Sequence, residues 1–287
     1  VLLVQQQQQR QEETSVVKSK HREWKLWDEM NVSEQHESLK RLAPYVTNMG
    51  KTLGLKKSTV HTMRDSNGAQ VPKYDIHKFG SGGHHMLCGP QPPNCNFLSF
   101  GIRDDPSFDI ELAEKWNCRG FAGDPSVTHP SKLHDLVTFH NLALTTTRSN
   151  EQKLDDQNDW WYTSLPSVRH LLRLQHMDFV KIDCEGCEIA MTRDILIEDP
   201  EFLLNVGQIS IETHVSREWI DNDEELYYFA LLFPLLEEAG LELMWSDVFS
   251  CSQRHEKKGC VPQLLEWGFP CGPGPARKVW RSCQDML

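Results

Sequence analysis

The sequence predicts an α/β protein in which a mostly parallel sheet carries helices on both faces. The chain has 287 residues, 39% of them hydrophobic, which is enough to bury a large core. From Asn96 onward, short apolar runs alternate with segments at helical spacing, which predicts five successive strand-then-helix units. In sheets built from such units, ligands bind in the crevice at the carboxyl ends of the strands. The polar residues that follow each strand are therefore the candidates for function.

Composition divides the chain into four parts. A Gln-rich, charged segment is predicted to be a flexible tail or stalk, and a helical and loop-rich lead-in follows it. Next comes the α/β domain, and a Cys-rich segment at the end is predicted to complete the sheet. These parts span residues 1–30, 31–94, 95–250 and 251–287. The opening Val-Leu-Leu-Val is compatible with the end of a removed signal, or of a membrane anchor upstream of the chain.

The elements follow from local patterns. In the lead-in, 33–46 has the pattern of a helix and 71–79 that of a short strand between turn-forming segments. In the domain, the apolar run 96–102 predicts a strand, and 105–116 predicts a helix because apolar residues at helical spacing follow an Asp-Pro start. A later helix is expected to kink or break near Pro234. The other predictions are strands at 118–124, 136–146, 178–183 and 207–215, helices at 165–175, 188–196 and 223–240, and closing strands at 241–250 and 276–283.

Charge argues against one class of partner. The chain has 41 acidic and 30 basic residues, a formal net charge of -11, and no stripe of lysine and arginine. Such a surface repels a phosphate backbone. We therefore expect no nucleic-acid partner.

The cysteines indicate a compartment. Nine are present, and the gaps between Cys251, Cys260, Cys271 and Cys283 are too wide and irregular for zinc knuckles. The pattern is typical of disulfides in an oxidising compartment, and the pairing does not follow from sequence. We expect a protein that is secreted or resides in the lumen of the endoplasmic reticulum or Golgi. The alternative is a cytosolic protein with reduced, buried cysteines.

One stretch, "FVKIDCEGCEIAM" at 179–191, offers two interpretations. A Cys-x-x-Cys between a strand and a helix is the thioredoxin arrangement, which predicts two exposed thiols of low pKa. Three strand candidates precede this motif, however, and a zinc site would need two further ligands. The second interpretation places Asp183 at the tip of a strand, with Glu185 and Glu188 in the first turn of the next helix. Capping alone also explains acidic residues at that position.

Other strand ends carry polar residues or glycine. Gly101 would allow close approach of a ligand to the backbone. Asp124 can accept both hydroxyls of a ribose, although the Asp-Pro-Ser sequence that includes Pro125 is also a simple turn. Glu212 and His214 alternate along a strand and project to the same side. His214 is a candidate general base, and a structural histidine is the alternative.

The stretches "FLSFGIRDDPSFD", "FAGDPSV", "FVKIDCEGCE" and "ISIETH", in this order, resemble the FkbM-type methyltransferases over residues 70–250. The resemblance implies the class I fold, with a seven-stranded sheet, and S-adenosylmethionine as cofactor. It implies that Phe100 and Gly101 lie at the methionine part of the cofactor. Asp124 and Pro125 would lie at the ribose, and Asp183 beside cofactor and substrate.

For methyl transfer, the protein aligns donor and acceptor and excludes water. The acceptor is expected to be a hydroxyl of a glycan or small molecule, with His214, or Asp183 with Glu185, as base. A divalent cation held by the carboxylates is a further option. The Trp160–Tyr162 patch could line an acceptor pocket, or simply be core.

A non-catalytic binding module on a methyltransferase scaffold is the alternative function. In the loop after the first predicted strand, Arg103, Asp104 and Asp105 follow a single glycine, where a methyltransferase usually has a glycine-rich turn. The side chain of Arg103 would favour the binding module if it filled the methionine pocket.

Overall fold

The computed structural model describes most of the α/β domain and parts of the flanking segments. The described residues are 24–53, 59–60, 62–64, 70–72, 76–81, 85–89, 94–144, 160–184, 186–213, 220, 222–241, 245–246 and 267–268. The helices are α1 (Val32–Leu53), α2 (Ser107–Trp116), α3 (Leu165–Leu171), α4 (Cys187–Glu198) and α5 (Asp223–Glu238), with 3-10 turns at Trp27–Glu29 and Phe202–Asn205.

Short strands precede the domain and continue through it. Those before the domain are β1 (Thr59–Val60), β2 (Thr62–Arg64), β3 (Gln70–Pro72), β4 (Ile76–Phe79) and β5 (His85–Cys88). Those that follow are β6 (Asn96–Phe100), β7 (Arg119–Gly123), β8 (Lys132–His134), β9 (Val137–His140), β10 (Leu142–Leu144), β11 (Trp161–Thr163), β12 (Met177–Ile182), β13 (Val206–Ile211), β14 (Trp245–Ser246) and β15 (Trp267–Gly268).

Within the described residues, nine strands form one mixed sheet in the order β1-β14-β15-β13-β12-β6-β7-β9-β8. The five central strands, β13, β12, β6, β7 and β9, run parallel, whereas the pairings outside them are antiparallel. The protein is thus α/β and consistent with a Rossmann-like fold. The prediction of a seven-stranded, mostly parallel sheet is wrong, because very short antiparallel strands extend both edges of the sheet. Strands of two or three residues are too short to show a period in the sequence.

The parallel strands have two different faces. Leu98, Val180 and Ile209 point toward α1, α4 and α5 and belong to one continuous apolar core. We call this side the helical face. On the other side, Phe97 and Phe179 belong to a second core, with α2 and the β4–β5 hairpin. We call this side the cavity face.

Part of the predicted N-terminal tail is structured. Trp24 and Met30 are buried, and the Trp24 indole Nε1 donates to Glu238 Oε1 at 3.0 Å. The Trp27 amide donates to Tyr228 Oη at 3.0 Å. The boundary at residue 30 is therefore wrong for residues 24–30, because their aromatic side chains pack on α5 although the segment has no apolar period.

Helix α5 runs unbroken through Pro234. All ten residues from Tyr227 to Leu236 are buried. A proline inside a helix costs about 3 kcal/mol, and burial of this many apolar side chains outweighs that cost. The predicted break is therefore absent. None of the described helices is both long enough and apolar enough to cross a membrane.

Candidate functional site

The register of the parallel strands places polar residues in layers on the cavity face. Lys181 lies beside Ser99 of β6 and Ser210 of β13. One layer closer to the amino ends are Phe97, Phe179 and Gln208. Because side chains on one face recur every second residue, the next layer comprises Gly101, Asp183 and Glu212. Polarity on this face therefore increases toward the carboxyl ends of β6, β12 and β13.

A cavity of about 390 Å³ opens at these carboxyl ends. Its volume falls in the range of small-molecule sites, about 300–1,000 Å³. The polar part of its wall includes Ser81, His85, Lys181, Asp183 and Glu212. Sheet, α2 and hairpin all contribute to this wall, so the cavity requires the tertiary fold.

Lys181 is the central cation of the site and is 4% exposed. Its Nζ donates to the Gly101 carbonyl oxygen at 2.9 Å and lies 3.6 Å from Asp183 Oδ2. Lysine is almost never buried without such partners. We did not single out this residue from the sequence. The available signal was a charged residue inside an otherwise apolar strand.

Asp109, in the first turn of α2, is fully buried on the cavity face. Burial raises the pKa of its carboxyl to about 6, although the Lys181 ammonium and the Ser99 hydroxyl act in the opposite direction. The Ser99 hydroxyl is close enough for this effect, but neither it nor the carboxylate makes a hydrogen bond of normal geometry. The core next to Lys181 therefore contains a carboxyl group with a pKa near neutrality, although Asp109 does not itself line the cavity.

The β4–β5 hairpin covers the cavity through polar contacts. His85 Nδ1 lies 3.1 Å from Ser210 Oγ, and the imidazole packs edge-on against Phe108. The Gln208 side chain bonds to both backbone groups of Cys88, at 2.8 and 2.9 Å. The "GSGGHH" segment at 80–85 suggested only a loop, so sequence reasoning missed His85 as a wall residue.

Ser81 connects the hairpin to the start of α2. Its hydroxyl donates to Asp105, and its amide donates to Ser107 Oγ at 2.6 Å. Burial acts to raise the pKa of Asp105, but hydrogen bonds from Ser81 and Ser107 outweigh it and lower the pKa. Asp105 is therefore ionised where it contacts the hairpin.

Gly101 is required by a contact within the protein. It has a φ of 77°, and a β-carbon at this position would lie 1.7 Å from the Asp183 carbonyl oxygen. No other residue type fits there. The close approach that we predicted for a ligand is thus made by the backbone of Asp183, although Gly101 also lies on the cavity wall.

Asp124 organises the neighbouring loop. Its carboxylate, 3% exposed, accepts from the Arg103 amide at 2.8 Å and from the Ser126 amide and hydroxyl at 2.8 and 2.6 Å. It does not line the cavity, whereas Arg103 does. Arg103 is exposed and does not fill the interior. Pro125 is half-buried in the same turn.

The remaining candidates are dispersed. Phe100 is buried among the residues of the helical face, away from the cavity. Glu188 is buried in the first turn of α4. Trp161 is 76% exposed, which excludes the core interpretation for that residue. Glu185 and His214 lie outside the described residues.

Two disulfides are present among the described residues. Cys95 pairs with Cys118, and Cys184 pairs with Cys187. The Cys-x-x-Cys is therefore neither a zinc site nor a pair of thiols in this state. The described part of the chain contains no group of three or more His, Cys, Asp and Glu residues that could hold a metal ion. Disulfides are compatible with a secreted or lumenal protein.

Comparison with protein-family models and with curated proteins found no match to this chain.

Proposed function

We propose that the chain is an S-adenosylmethionine-dependent methyltransferase of the class I fold that methylates a hydroxyl of a glycan or small molecule. The observation that carries the proposal is the polar cavity at the carboxyl ends of β6, β12 and β13. Gly101 and Asp183, two residues of the FkbM-type resemblance, both line it. Ligands of Rossmann-like sheets bind at this edge.

The wall of the cavity suits the amino-acid end of the cofactor. The Asp183 and Glu212 carboxylates complement an ammonium and a sulfonium, and the Lys181 ammonium complements a carboxylate. When bound, the cofactor would supply an activated methyl group. Ribose binding by Asp124 would require its bonds to Arg103 and Ser126 to be exchanged for bonds to ribose hydroxyls.

The protein's own groups would orient the acceptor and accept its proton. The cavity offers the Asp183 carboxylate and, in addition to our sequence-based candidates, the His85 imidazole. Lys181 holds Asp183 in place through its Nζ. The β4–β5 hairpin would exclude water from the same space.

A non-catalytic binding module is the second candidate, and the state of Asp124 favours it. The carboxylate expected at the ribose is buried and already accepts three hydrogen bonds, two from Ser126 in its own loop and one from the Arg103 amide in the loop after β6. Under this alternative the cavity would still bind a small polar ligand, and the cofactor would not bind.

Calorimetric titration of the non-reduced protein with S-adenosylmethionine tests the proposal. We expect micromolar binding that is lost in Asp183→Asn and in Asp124→Ala. Asp135→Asn serves as a matched control because Asp135 is exposed and forms a surface ion pair with Lys132. Absence of binding by the folded wild-type protein would favour the binding module.

A further inference from the structure

The Cys184–Cys187 disulfide lies directly beside the cavity. Cys184 follows Asp183, which lines the cavity, and Cys187 is the first residue of the 12-residue helix α4. Gly186 precedes the helix with a φ of 95°, a conformation that turns the chain tightly between the two cysteines. The bridge therefore joins the end of β12 to the start of α4.

The two cysteines of this bridge differ in exposure. Cys184 is half-buried, whereas Cys187 is 8% exposed. A reductant therefore reaches the sulfur of Cys184 more readily. The amino end of a helix stabilises a thiolate, so Cys187 is the better leaving group. A thiol that leaves more easily as a thiolate makes exchange faster.

The second disulfide has none of these features. Cys95 and Cys118 are both buried within the core of the cavity face. They are 23 residues apart, whereas Cys184 and Cys187 are separated by three. In the chain-entropy account, closing a longer loop constrains the unfolded chain more strongly. Cys95–Cys118 thus has the features of a structural bridge, because it is buried in a core and closes the longer loop.

We propose that Cys184–Cys187 is a thiol–disulfide exchange site, opened reversibly by a thiol reductant while Cys95–Cys118 stays closed. A reductant thiolate attacks Cys184 Sγ, which forms a mixed disulfide and breaks the protein bridge, and Cys187 leaves as a thiolate. A second thiol of the reductant attacks the mixed disulfide and releases Cys184. The protein gains two electrons and two protons, and the reductant becomes a disulfide.

Graded reduction of the folded full chain tests this site. The protein is incubated with dithiothreitol or reduced glutathione, free thiols are alkylated, and the labelling of each cysteine is measured by peptide mass spectrometry. We expect Cys184 and Cys187 to be labelled together at reductant concentrations at least roughly tenfold below those that label Cys95 and Cys118. Oxidised glutathione should then restore the bridge. Labelling of all four cysteines only upon unfolding would overturn the proposal.

Two single variants test which of the two sulfurs is more accessible. In Cys187→Ser, Cys184 has no partner to displace glutathione, so we expect a Cys184–glutathione mixed disulfide to accumulate with oxidised glutathione. In Cys184→Ser, the more buried Cys187 should form this adduct more slowly. Equal adduct formation in both variants would contradict the greater accessibility of Cys184 on which the proposed attack depends. Dithiothreitol and glutathione together distinguish a site open to any small thiol from one that only a dithiol opens.

Discussion

The two faces of the parallel strands show how one set of strands supports both a core and a cavity. On the helical face, Leu98, Val180 and Ile209 form a row across three strands that is entirely apolar and buried. The adjacent residues Ser99 and Lys181 lie in the corresponding row on the cavity face, with Ser210. Both rows are buried, so burial alone does not distinguish them. The helical face gains stability from the burial of apolar surface. The cavity face instead buries the Lys181 ammonium, whose removal from water is costly unless it is paired.

The largest effect is expected on the helical face. Leu98→Ala removes a fully buried side chain from its core and should lower the free energy of unfolding by about 4 kcal/mol. Urea denaturation of the variant and the wild type measures this difference. A loss of under about 1 kcal/mol would mean that this face is not tightly packed.

Lys181→Met tests the cavity face. The substitution removes the buried ammonium that pairs with Asp183 and lowers the pKa of the buried Asp109, and we expect a loss of about 3 kcal/mol at pH 8. At pH 5 the loss should be smaller, because Asp109, with a pKa of about 6, is then protonated. The double variant with Asp109→Asn should recover part of the loss at pH 8. A loss that does not depend on pH would indicate that packing, and not charge, accounts for the effect.

Asp109→Asn isolates the contribution of the Asp109 carboxyl to the pH dependence of stability. Burial raises the folded-state pKa of Asp109 to about 6, above its ordinary value of 3.8. The stability that it contributes is therefore fully present below the unfolded-state pKa and is lost as pH rises through about 6. Between pH 4 and pH 8 we expect the titration of Asp109 to lower the free energy of unfolding of the wild type by about 2 kcal/mol. The asparagine variant should lack this decrease.

Denaturation between pH 4 and pH 8 measures the difference in slope. A second component should remain in Asp109→Asn, because burial and the charge of Glu198 raise the pKa of Asp194 in α4 to about 7. Asp135→Asn, at an exposed position, should retain the wild-type slope. Identical slopes in wild type and Asp109→Asn would contradict the assignment.

The smallest effect is expected for Ser99→Ala, next to Leu98. The Ser99 hydroxyl is buried without a hydrogen bond of normal geometry, so its removal should change the free energy of unfolding by less than about 1 kcal/mol. The pKa of Asp109 should rise further, because this hydroxyl lowers it in the wild type. Titration of Asp109 by NMR in both proteins checks this, and an unchanged pKa would exclude an interaction between the two side chains.

Local sequence patterns predicted the central elements well. The apolar runs at β6, β12 and β13, and the helical spacing in α2 and α4, match the structure to within a few residues. These elements have clear periods, because each one must bury a continuous apolar surface. The ends of β6 and β12 were therefore located to within two residues, and with them Gly101 and Asp183 on the cavity wall, whereas β13 ends at Ile211 and not at the predicted residue 215.

Other features had no local signal. Strand β14 lies within the closing strand predicted at 241–250, and β15 lies in the segment predicted to complete the sheet, but nothing in either short strand indicates that it pairs antiparallel. The tail residue Trp24 is buried by a helix more than 200 residues away in sequence. His85 reaches the cavity because the hairpin folds over β13. Asp124 accepts hydrogen bonds from its own loop and from the loop after β6, and residue type does not reveal that these two loops meet.

The sequence by itself determined the α/β class, the positions of the central strands and the residues near the ends of β6 and β12, because these depend on periodicity within single segments. Only the tertiary structure decided the mixed sheet, the pairing of Cys95 with Cys118, and the burial of Lys181 between Ser99 and Ser210. Each of these depends on contacts between segments far apart in the chain. The charge in strand β12 is visible in the sequence, but its partners on neighbouring strands and on α2 exist only in the fold.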